Sequence, residues 1–447
     1  MSTVLVLAAT LAVVAGFAYA LGMYLERGLM ADEPPGTSSP RLLFVYLVPC
    51  LNEAKVISQT LARLTDLPDA SEMIVLVIDD ASGDETLAIA RGHPDERVHV
   101  MHRFLPEAQR GKGDALNAAV AHLLGSGLLE GWQADAIVVG LLDADGRLDP
   151  FTPTRVAPLF ADPSVGAVQI SVRINNRLAG LLTRLQDMEF VIFTAVFQVA
   201  RTRLGIAGLG GNGQFTRLSA LLDLGPAPWS DVLTEDLDLG VRMQLCGWST
   251  VHCVSAEVHQ QGLLSLRRLV RQRSRWFQGH LQCWRLVPSV VRGARGRIAA
   301  EMLHTLLMPC LVLLSSFMTL SFVATVVGVA LTPAARAQIL SPAPLLAWYL
   351  LTFAPGQLFG YVYARSVREV GVLRGMLLGH AFVLYGLVWM AAGWWAVGRM
   401  LTGHRSWLKT ARDDEAQHLD RGEAPAGRAS APPTAGDASA RAPAGQR

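Results

Sequence analysis

Four long stretches of this chain contain no acidic side chain, lysine or arginine, and they are residues 1–25, 302–335, 337–364 and 375–398. Each is longer than the roughly 20 apolar residues that cross the hydrocarbon core of a bilayer. With 51% hydrophobic and 17% charged residues, the chain is also too apolar for an ordinary soluble protein of 447 residues. We therefore predict an N-terminal transmembrane anchor over residues 1–25 and a transmembrane region of about three spans over residues 302–401.

The charges around these stretches suggest an orientation in the cell membrane. The first stretch lacks a preceding basic segment and an obvious small-residue cleavage site, so we expect it to be retained. Arg365, Arg368 and Arg374 favour a cytoplasmic loop, which places residues 41–300 in the cytoplasm. Positive charges after residue 398 also favour the cytoplasm, so either one stretch is re-entrant or the one beginning at Met302 contains two passes. Residues 413–447, which lack large apolar groups, are predicted to be a disordered tail.

The segment from residue 41 to residue 300 alternates charges, short apolar runs and turn residues, as a globular α/β domain does. Helical patterns between several of the runs predict a largely parallel sheet with a ligand site at the carboxyl ends of its strands. The predicted strands are Leu42–Val48, Met73–Ile78, Val98–Met101, Ala136–Leu142 and Val165–Ile170, and the helices between them include Glu53–Leu64, Asp84–Arg91 and Asp114–Leu124.

Composition excludes some classes of function. The formal net charge of +2 gives no basic footprint for a nucleic acid. The five cysteines form no CxxC pair, which argues against a zinc site and a disulfide framework and makes the reduced cytosol the simplest compartment.

Two carboxylates, Asp79 and Asp80, follow the second predicted strand directly. At this edge of a sheet an acidic side chain can accept hydrogen bonds from a base or a ribose. A turn followed by a helix explains the pair equally well, because Ser82 or Asp84 can cap the next helix.

A second acidic pair, Asp143 and Asp145, follows the strongly apolar fourth strand. A turn can aim both carboxylates at one hard cation, Mg²⁺ or Mn²⁺, whose remaining ligands would be phosphate oxygens. The alternative is a solvated turn, since a lone DxD is a weak signal.

Two glycine-containing segments are candidates for contacts with phosphate groups. Lys112 stands between two glycines at a predicted helix start, where an ammonium and free amides can meet phosphates. An exposed lysine in a glycine turn is the alternative. Four glycines lie within residues 208–213 and allow close approach of a ligand to the backbone, and a flexible loop is the competing interpretation.

Thr234, Glu235 and Asp236 open an amphipathic helix that is predicted to run to about Cys246. A threonine cap followed by acids in the first turn is ordinary helix chemistry. One of these acids could equally be a general base whose pKa rises when water is displaced.

Gln272, Arg275 and Trp276 lie at positions i, i+3 and i+4 of a predicted helix and therefore share one face. That face could hold a diphosphate with the guanidinium and a sugar ring against the indole. The alternative is a basic helix that lies on anionic membrane lipids. The arginines that support this alternative are Arg267, Arg268, Arg271 and Arg273.

In this order, the motifs resemble those of the membrane-bound family 2 glycosyltransferases, the group that includes cellulose, chitin and hyaluronan synthases. The resemblance covers about residues 41–290. It rests on Val48–Glu53, Asp79–Asp80, Gly111–Gly113 with Asn117, Asp143–Asp145, Thr234–Asp236 and Gln272–Trp276.

The resemblance implies a GT-A type nucleotide-sugar-binding α/β domain inserted between transmembrane helices. It implies that Asp236 is the catalytic base of an inverting transfer, that Asp143 and Asp145 bind Mg²⁺ or Mn²⁺, and that the donor is most often a UDP-sugar. The implied clamp for acceptor and diphosphate contains Glu235, Gln272, Arg275 and Trp276. The implied nucleotide pocket contains Pro49, Asn52, Glu53, Asp79, Asp80, Lys112 and Asp143.

The leading expectation for the acceptor is a growing β-linked polysaccharide. About four spans are few for a glycan channel, so the chain would have to build one as a homo-oligomer, or would instead glycosylate a membrane lipid. A transporter or membrane scaffold is the expectation from another class, which the scarcity of ionisable residues within the spans disfavours.

Overall fold

The computed structural model describes residues 3–27, 39–68, 72–333 and 342–403. The predicted tail at 413–447 and the loop around Arg336 lie outside these ranges.

Strands in the described part of the chain form one eight-stranded sheet in the order β3-β2-β1-β4-β7-β6-β8-β5. They are β1 (Leu43–Cys50), β2 (Met73–Asp79), β3 (Val98–His102), β4 (Ile137–Leu141), β5 (Arg147–Leu148), β6 (Val165–Ile174), β7 (Gln214–Arg217) and β8 (Ser249–Gln260).

The first four strands are parallel. Of these, β1, β2 and β4 are nearly continuous apolar runs because side chains on both faces of the sheet are covered, whereas the edge strand β3 is half-buried and contains two histidines. Cys50 at the end of β1 pairs with Asp79, and Asp79 pairs with His102 at the end of β3. The loops after β1, β2 and β4 therefore leave the sheet at one edge, where the predicted site residues lie.

The expected largely parallel sheet is in fact mixed. The strand β7 runs antiparallel between β4 and β6, and β5 runs antiparallel to β8 at the far edge. Neither β7 nor β8 was predicted, because polar residues interrupt both apolar patterns. In β7, for example, Gln214 and Thr216 are buried and bond each other at 2.8 Å.

Helices cover both faces of the sheet and form a separate apolar layer at the end of the chain. They are α1 (Thr3–Arg27), α2 (Ile57–Thr65), α3 (Thr86–Arg91), α4 (Lys112–Gly125), α5 (Thr152–Val156), α6 (Leu181–Ile192), α7 (Val199–Thr202), α8 (Leu218–Leu222), α9 (Glu235–Leu245), α10 (Leu266–Gln282), α11 (Val287–Gly293), α12 (Gly296–Leu331), α13 (Pro342–Ser366) and α14 (Val372–Leu401). A π-helical turn, Phe193–Gln198, joins α6 to α7.

The described part of each charge-free stretch lies mostly in one helix, and these helices are α1, α12, α13 and α14. Of the helices described, α12 and α14 are long and apolar enough to cross a membrane, a test that a buried core helix also passes. Glycines bring α13 and α14 together, since a Cβ on Gly356 would lie 2.5 Å from the carbonyl oxygen of Gly379. The helix α1 packs on α12, and Glu26 pairs with Arg297 at 2.6 Å.

The helix α6 connects the sheet to these apolar helices. The fully buried carboxylate of Asp187 accepts hydrogen bonds from Arg173 of β6 at 3.1 Å and from the Tyr363 hydroxyl of α13 at 2.8 Å. Apolar residues of α1, α6, α10, α13 and α14 share one core cluster around this contact.

Candidate active site

The loops after β1 and β2 are joined by backbone-to-side-chain hydrogen bonds. Asn52, in a left-handed conformation with φ of 54°, donates from its backbone to Ser82 Oγ and accepts from the backbone of Gly83 at 2.7 Å. The backbone of Glu53 donates to Thr86 Oγ1 at 2.7 Å. Asn52 and Glu53, both predicted nucleotide contacts, thus belong to one ordered surface, and Pro49 lies just before them in β1.

Asp79 and Asp80 have different partners behind this surface. Asp79 is fully buried and binds His102 Nδ1 at 2.7 Å through one oxygen, whereas its Oδ1 has no hydrogen-bond partner among the residues described. Asp80 accepts from Arg103 at 2.5 Å, and Arg103 also bonds Asp114 of α4. Burial raises the pKa of Asp80 in spite of the Arg103 guanidinium.

Lys112, the first residue of α4, connects three parts of the site. Its Nζ donates to Asp143 Oδ1 at 2.7 Å and to the carbonyl oxygen of Gly211 at 2.6 Å. Burial opposes its charge, but the carboxylates of Asp143 and Glu235 raise the pKa of Lys112 above its ordinary value. The ammonium is therefore a permanent positive charge at the centre of the site.

Asp143 and Asp145 flank the tight turn after β4. The backbone N–H of Asp143 donates to Asn212 Oδ1 at 3.2 Å, and Asp145 Oδ2 accepts from the backbone of Gln261 at 3.3 Å. Nowhere in the described ranges do three His, Cys, Asp or Glu side chains form a cluster that could hold a metal ion. Two carboxylates fit a hard cation such as Mg²⁺ or Mn²⁺, which completes its coordination with diphosphate oxygens and water.

The glycine-rich segment 208–213 is held by amide side chains, so it is an ordered loop. Gln198 exchanges two hydrogen bonds with the backbone of Gly208, at 2.6 and 2.9 Å. Gln169 accepts from the backbone of Gly210 at 2.8 Å and donates to the carbonyl oxygen of Asn212 at 2.9 Å. The loop carries Gly211 between Lys112 and Asp236, where a Cβ would lie 3.4 Å from Asp236 Oδ2.

Glu235 and Asp236 begin α9 beside this loop. Asp236 Oδ1 accepts from the backbone N–H of Leu237 at 2.8 Å, and burial raises the pKa of that carboxylate. Burial first, and then the neighbouring Asp236, raise the pKa of Glu235 to about 7, while Lys112 and Arg275 act to lower it. Thr234 occupies the predicted N-cap position of α9, but its hydroxyl makes no capping hydrogen bond and instead contacts Cys283 Sγ at 3.5 Å.

Residues of α4 and α10, which are distant in sequence from α9, position the start of that helix. The side-chain amide of Asn117 in α4 exchanges two hydrogen bonds with the backbone of Trp229, at 2.7 and 2.9 Å. Gly113 lies against Ser230, and Gly279 of α10 lies against Thr234, where a Cβ would come within 2.6 Å of the backbone nitrogen. Gly113 in α4 and Gly279 in α10 thus leave room for the segment that leads into Glu235 and Asp236 to pass between these two helices.

The helix α10 carries Gln272, Arg275 and Trp276 at the edge of the site. Gln272 is buried, and Arg275 is near enough to Glu235 to influence its pKa. The alternative interpretation of α10 as a basic helix lying on membrane lipids does not apply to Arg273. Its side chain is 1% exposed and pairs with Glu189 at 2.8 Å.

The structure thus groups Asp143, Glu235 and Asp236 around Lys112 and places Arg275 near Glu235. It connects Asp80 to the start of α4 through Arg103 and Asp114. Sequence reasoning missed several residues that organise the site. They are His102, Arg103, Asp114, Gln169, Gln198 and Asn212. The sequence signal for such residues was a polar side chain inside an otherwise apolar strand, such as Gln169 in β6.

Several known proteins are similar to this chain. The beta-monoglucosyldiacylglycerol synthase of Synechocystis sp. is 32% identical over 274 residues, which are 57% of this chain and 53% of that protein. Glucomannan 4-beta-mannosyltransferase 7 of Arabidopsis thaliana is 27% identical over 258 residues, covering 56% of this chain and 45% of that protein. The chain therefore spans about half the length of the curated relatives it matches.

Among solved structures, the mannosyltransferase PcManGT from Pyrobaculum calidifontis, in complex with GDP-Man and Mn²⁺, shares the fold with a TM-score of 0.56 at 21% identity. The match covers 86% of this chain and 98% of that one. The model of the family described as "Glycosyltransferase like family 2" matches residues 40–279, more than half of the sequence. The α/β domain is GT-A-like, and the protein belongs to the family 2 glycosyltransferases.

Proposed function

We propose that this protein is an inverting, metal-dependent membrane glycosyltransferase that transfers a hexosyl group from a nucleotide-sugar to a membrane lipid. The observation that carries the proposal is the meeting of Lys112, Asp143 and Asp236 around Gly211, beside a helix layer apolar enough for a bilayer. This arrangement provides a positive charge for a diphosphate and a half-buried carboxylate for an acceptor hydroxyl.

In the proposed reaction, the Asp236 carboxylate accepts the proton of the acceptor hydroxyl as its oxygen attacks the anomeric carbon. The bond to the diphosphate breaks in the same displacement, so an α-linked donor gives a β-linked product. Lys112 and Arg275 offset the negative charge that develops on the leaving group. Mg²⁺ or Mn²⁺, held by Asp143 and Asp145, would supply further charge compensation at the diphosphate.

The donor is proposed to bind across the loops after β1 and β2. Pro49, Asn52 and Glu53 would contact the nucleotide from one side, and Asp79 with Asp80 from the other. The unpaired, buried Oδ1 of Asp79 supports a ligand N–H in this position. Glu235, Gln272 and Trp276 would contact the acceptor. UDP-sugars come first among candidate donors, and the GDP-Man of the structural neighbour makes GDP-mannose the second to test.

The beta-monoglucosyldiacylglycerol synthases among the relatives favour a lipid acceptor over a polymer. The relatives named for glucomannan support the second candidate, a processive β-glycan synthase, which could assemble a channel as a homo-oligomer. In either case we propose a multi-pass protein of the cell membrane, with an anchor at 1–25, a cytoplasmic catalytic domain at 41–300 and about three spans in 302–401.

The test uses the full-length protein in nanodiscs that contain diacylglycerol, with UDP-glucose, other UDP-sugars or GDP-mannose and Mn²⁺ or Mg²⁺. A single labelled sugar on lipid, resolved by thin-layer chromatography, supports the proposal. A high-molecular-weight, glycosidase-sensitive product supports the polymer instead. If no donor yields either product while the protein remains folded, the proposed function is wrong.

A further inference from the structure

Arg273 is a buried charge inside the predicted clamp helix. It lies between Gln272 and Ser274 in α10, and its side chain is among the most completely buried in the protein. A buried guanidinium is stable only when it is paired and hydrogen-bonded. Its environment therefore indicates a specific structural role.

The partner of Arg273 is Glu189 in α6, and the last helix holds that carboxylate in place. Arg273 Nη2 donates to Glu189 Oε2 at 2.8 Å. The hydroxyl of Tyr385 donates to the same oxygen at 2.7 Å, and the indole of Trp389 donates to Oε1 at 3.0 Å. Both donors belong to α14, more than 190 residues away in sequence from Glu189.

On its other side, Arg273 contacts two clamp residues directly. Its Nη1 donates to Gln272 Oε1 at 2.8 Å, and its guanidinium carbon lies 4.0 Å from the centre of the Trp276 ring. The Trp276 ring also lies near Phe190, 6.3 Å away, and Trp389, 6.5 Å away. One face of the indole is thus occupied by protein, which limits how an acceptor can meet it.

We propose that Arg273 and Glu189 are positioning residues, and that Tyr385 and Trp389 of α14 hold the acceptor clamp in its working geometry through them. The inference rests on the proposed function only in assigning Gln272 and Trp276 to the acceptor. Small misplacements of such groups cost large factors in rate. Acceptor use therefore depends on the docking of α14, whereas donor binding across the first two loops does not.

The experiment compares full-length wild type in nanodiscs with the double variant Tyr385→Phe/Trp389→Phe, which removes both α14 donors to Glu189, leaves the Arg273 pair intact and keeps an aromatic ring at position 389 beside Trp276. Trp394→Phe is the matched control, because Trp394 is on the same helix but its indole donates to Ser316 at 3.1 Å. The measurements are acceptor KM, donor KM, kcat and donor hydrolysis without acceptor.

We expect the double variant to raise acceptor KM by at least about fivefold, since it removes two hydrogen bonds to a charged group. Donor KM and the rate of donor hydrolysis should stay at their wild-type values. The Trp394→Phe control should match wild type in all four quantities. An unchanged acceptor KM, or a fall in kcat alone with both KM values unchanged, overturns the inference, because the latter indicates only a smaller active fraction.

A second pair of variants separates pairing from positioning. Arg273→Lys keeps a positive charge for Glu189 but lacks the planar fork that also reaches Gln272. It should recover most of the thermal stability that Arg273→Met loses, yet keep a raised acceptor KM. Wild-type acceptor KM in Arg273→Lys would contradict the inference. Wild-type protein that transfers no sugar would instead contradict the proposed function.

Discussion

Asp236 and Asp238 lie two residues apart in α9, yet their carboxylates have opposite surroundings. Asp238 is fully buried and accepts hydrogen bonds from Arg242 at 2.6 Å and Arg285 at 2.9 Å. Asp236 faces Lys112 and the backbone of Gly211. Variants of Asp236 therefore test catalysis, and variants of Asp238 test stability, at positions within one turn of the same helix.

Asp236→Asn should lower kcat by at least about 100-fold with little change in melting temperature, because it removes the proposed general base. Asp238→Asn should lower the melting temperature by several degrees while the folded fraction keeps substantial activity, because it weakens two ion pairs. Sugar-transfer assays and thermal unfolding of both variants check this. Near-normal turnover by Asp236→Asn would rule out the proposed base.

Glu235 should make the ligand-free protein less stable as pH rises. Burial raises its pKa to about 7, so between its ordinary pKa and this value the folded state binds more protons than the unfolded state. The unfolding free energy then falls with increasing pH across that range. Glu235→Gln should flatten this slope and unfold at a higher temperature than wild type above pH 7. Parallel Tm-versus-pH curves for the two proteins would contradict the expectation.

Gly113→Ala should displace the chain that leads into α9. A Cβ there would collide with the carbonyl oxygen of Ser230, and backbone cannot move aside as a flexible side chain can. We expect a loss of about 1–3 kcal/mol of stability and a lower kcat. Gly125→Ala at the other end of α4 is the control, because nothing lies within 4 Å of the position that its added methyl group would take. Equal Tm and kcat for the two variants would show that the close approach is unimportant.

Chelation with EDTA should abolish transfer, and added Mn²⁺ or Mg²⁺ should restore it. Asp145→Asn should raise the Mn²⁺ concentration for half-maximal activity by at least about tenfold, since it removes a carboxylate from the proposed metal site. Asp149→Asn serves as the control, because it also removes a carboxylate after β4 but one that pairs with Arg155 of α5. A metal requirement that Asp145→Asn leaves unaltered would exclude Asp145 as a ligand.

The parallel strands at one side of the sheet were predictable because their signal is local, whereas β5, β7 and β8 were not predicted. The apolar runs of β1, β2 and β4 are buried on both faces, and the structure moves their ends by only one or two residues. The acids after these strands were found for the same reason: parallel strands bring their carboxyl ends to one edge. The predicted helix from Thr234 to Cys246 also matches α9 closely.

The contacts between distant segments could not be predicted. An arginine in a basic helix is usually exposed, and Arg273 is buried only because Glu189 meets it from 84 residues earlier. Likewise Asp80 looked like a turn residue or a ligand contact, but Arg103 approaches it after an intervening strand and helix. Such pairings depend on tertiary structure, which periodicity does not encode.

The core cluster shared by α1, α6, α10, α13 and α14 bears on how this protein can be divided into fragments. Met23, Met188 and Tyr363 belong to it together, although hydropathy assigns them to three separate regions. Cutting the gene at residue 300 would strip apolar neighbours from α6 and leave Asp187 without its tyrosine donor. The boundary at residue 300, which hydropathy suggests, therefore does not separate two independently folding units. We expect the excised segment 41–300 to aggregate because apolar surface of α6 and α10 would be exposed.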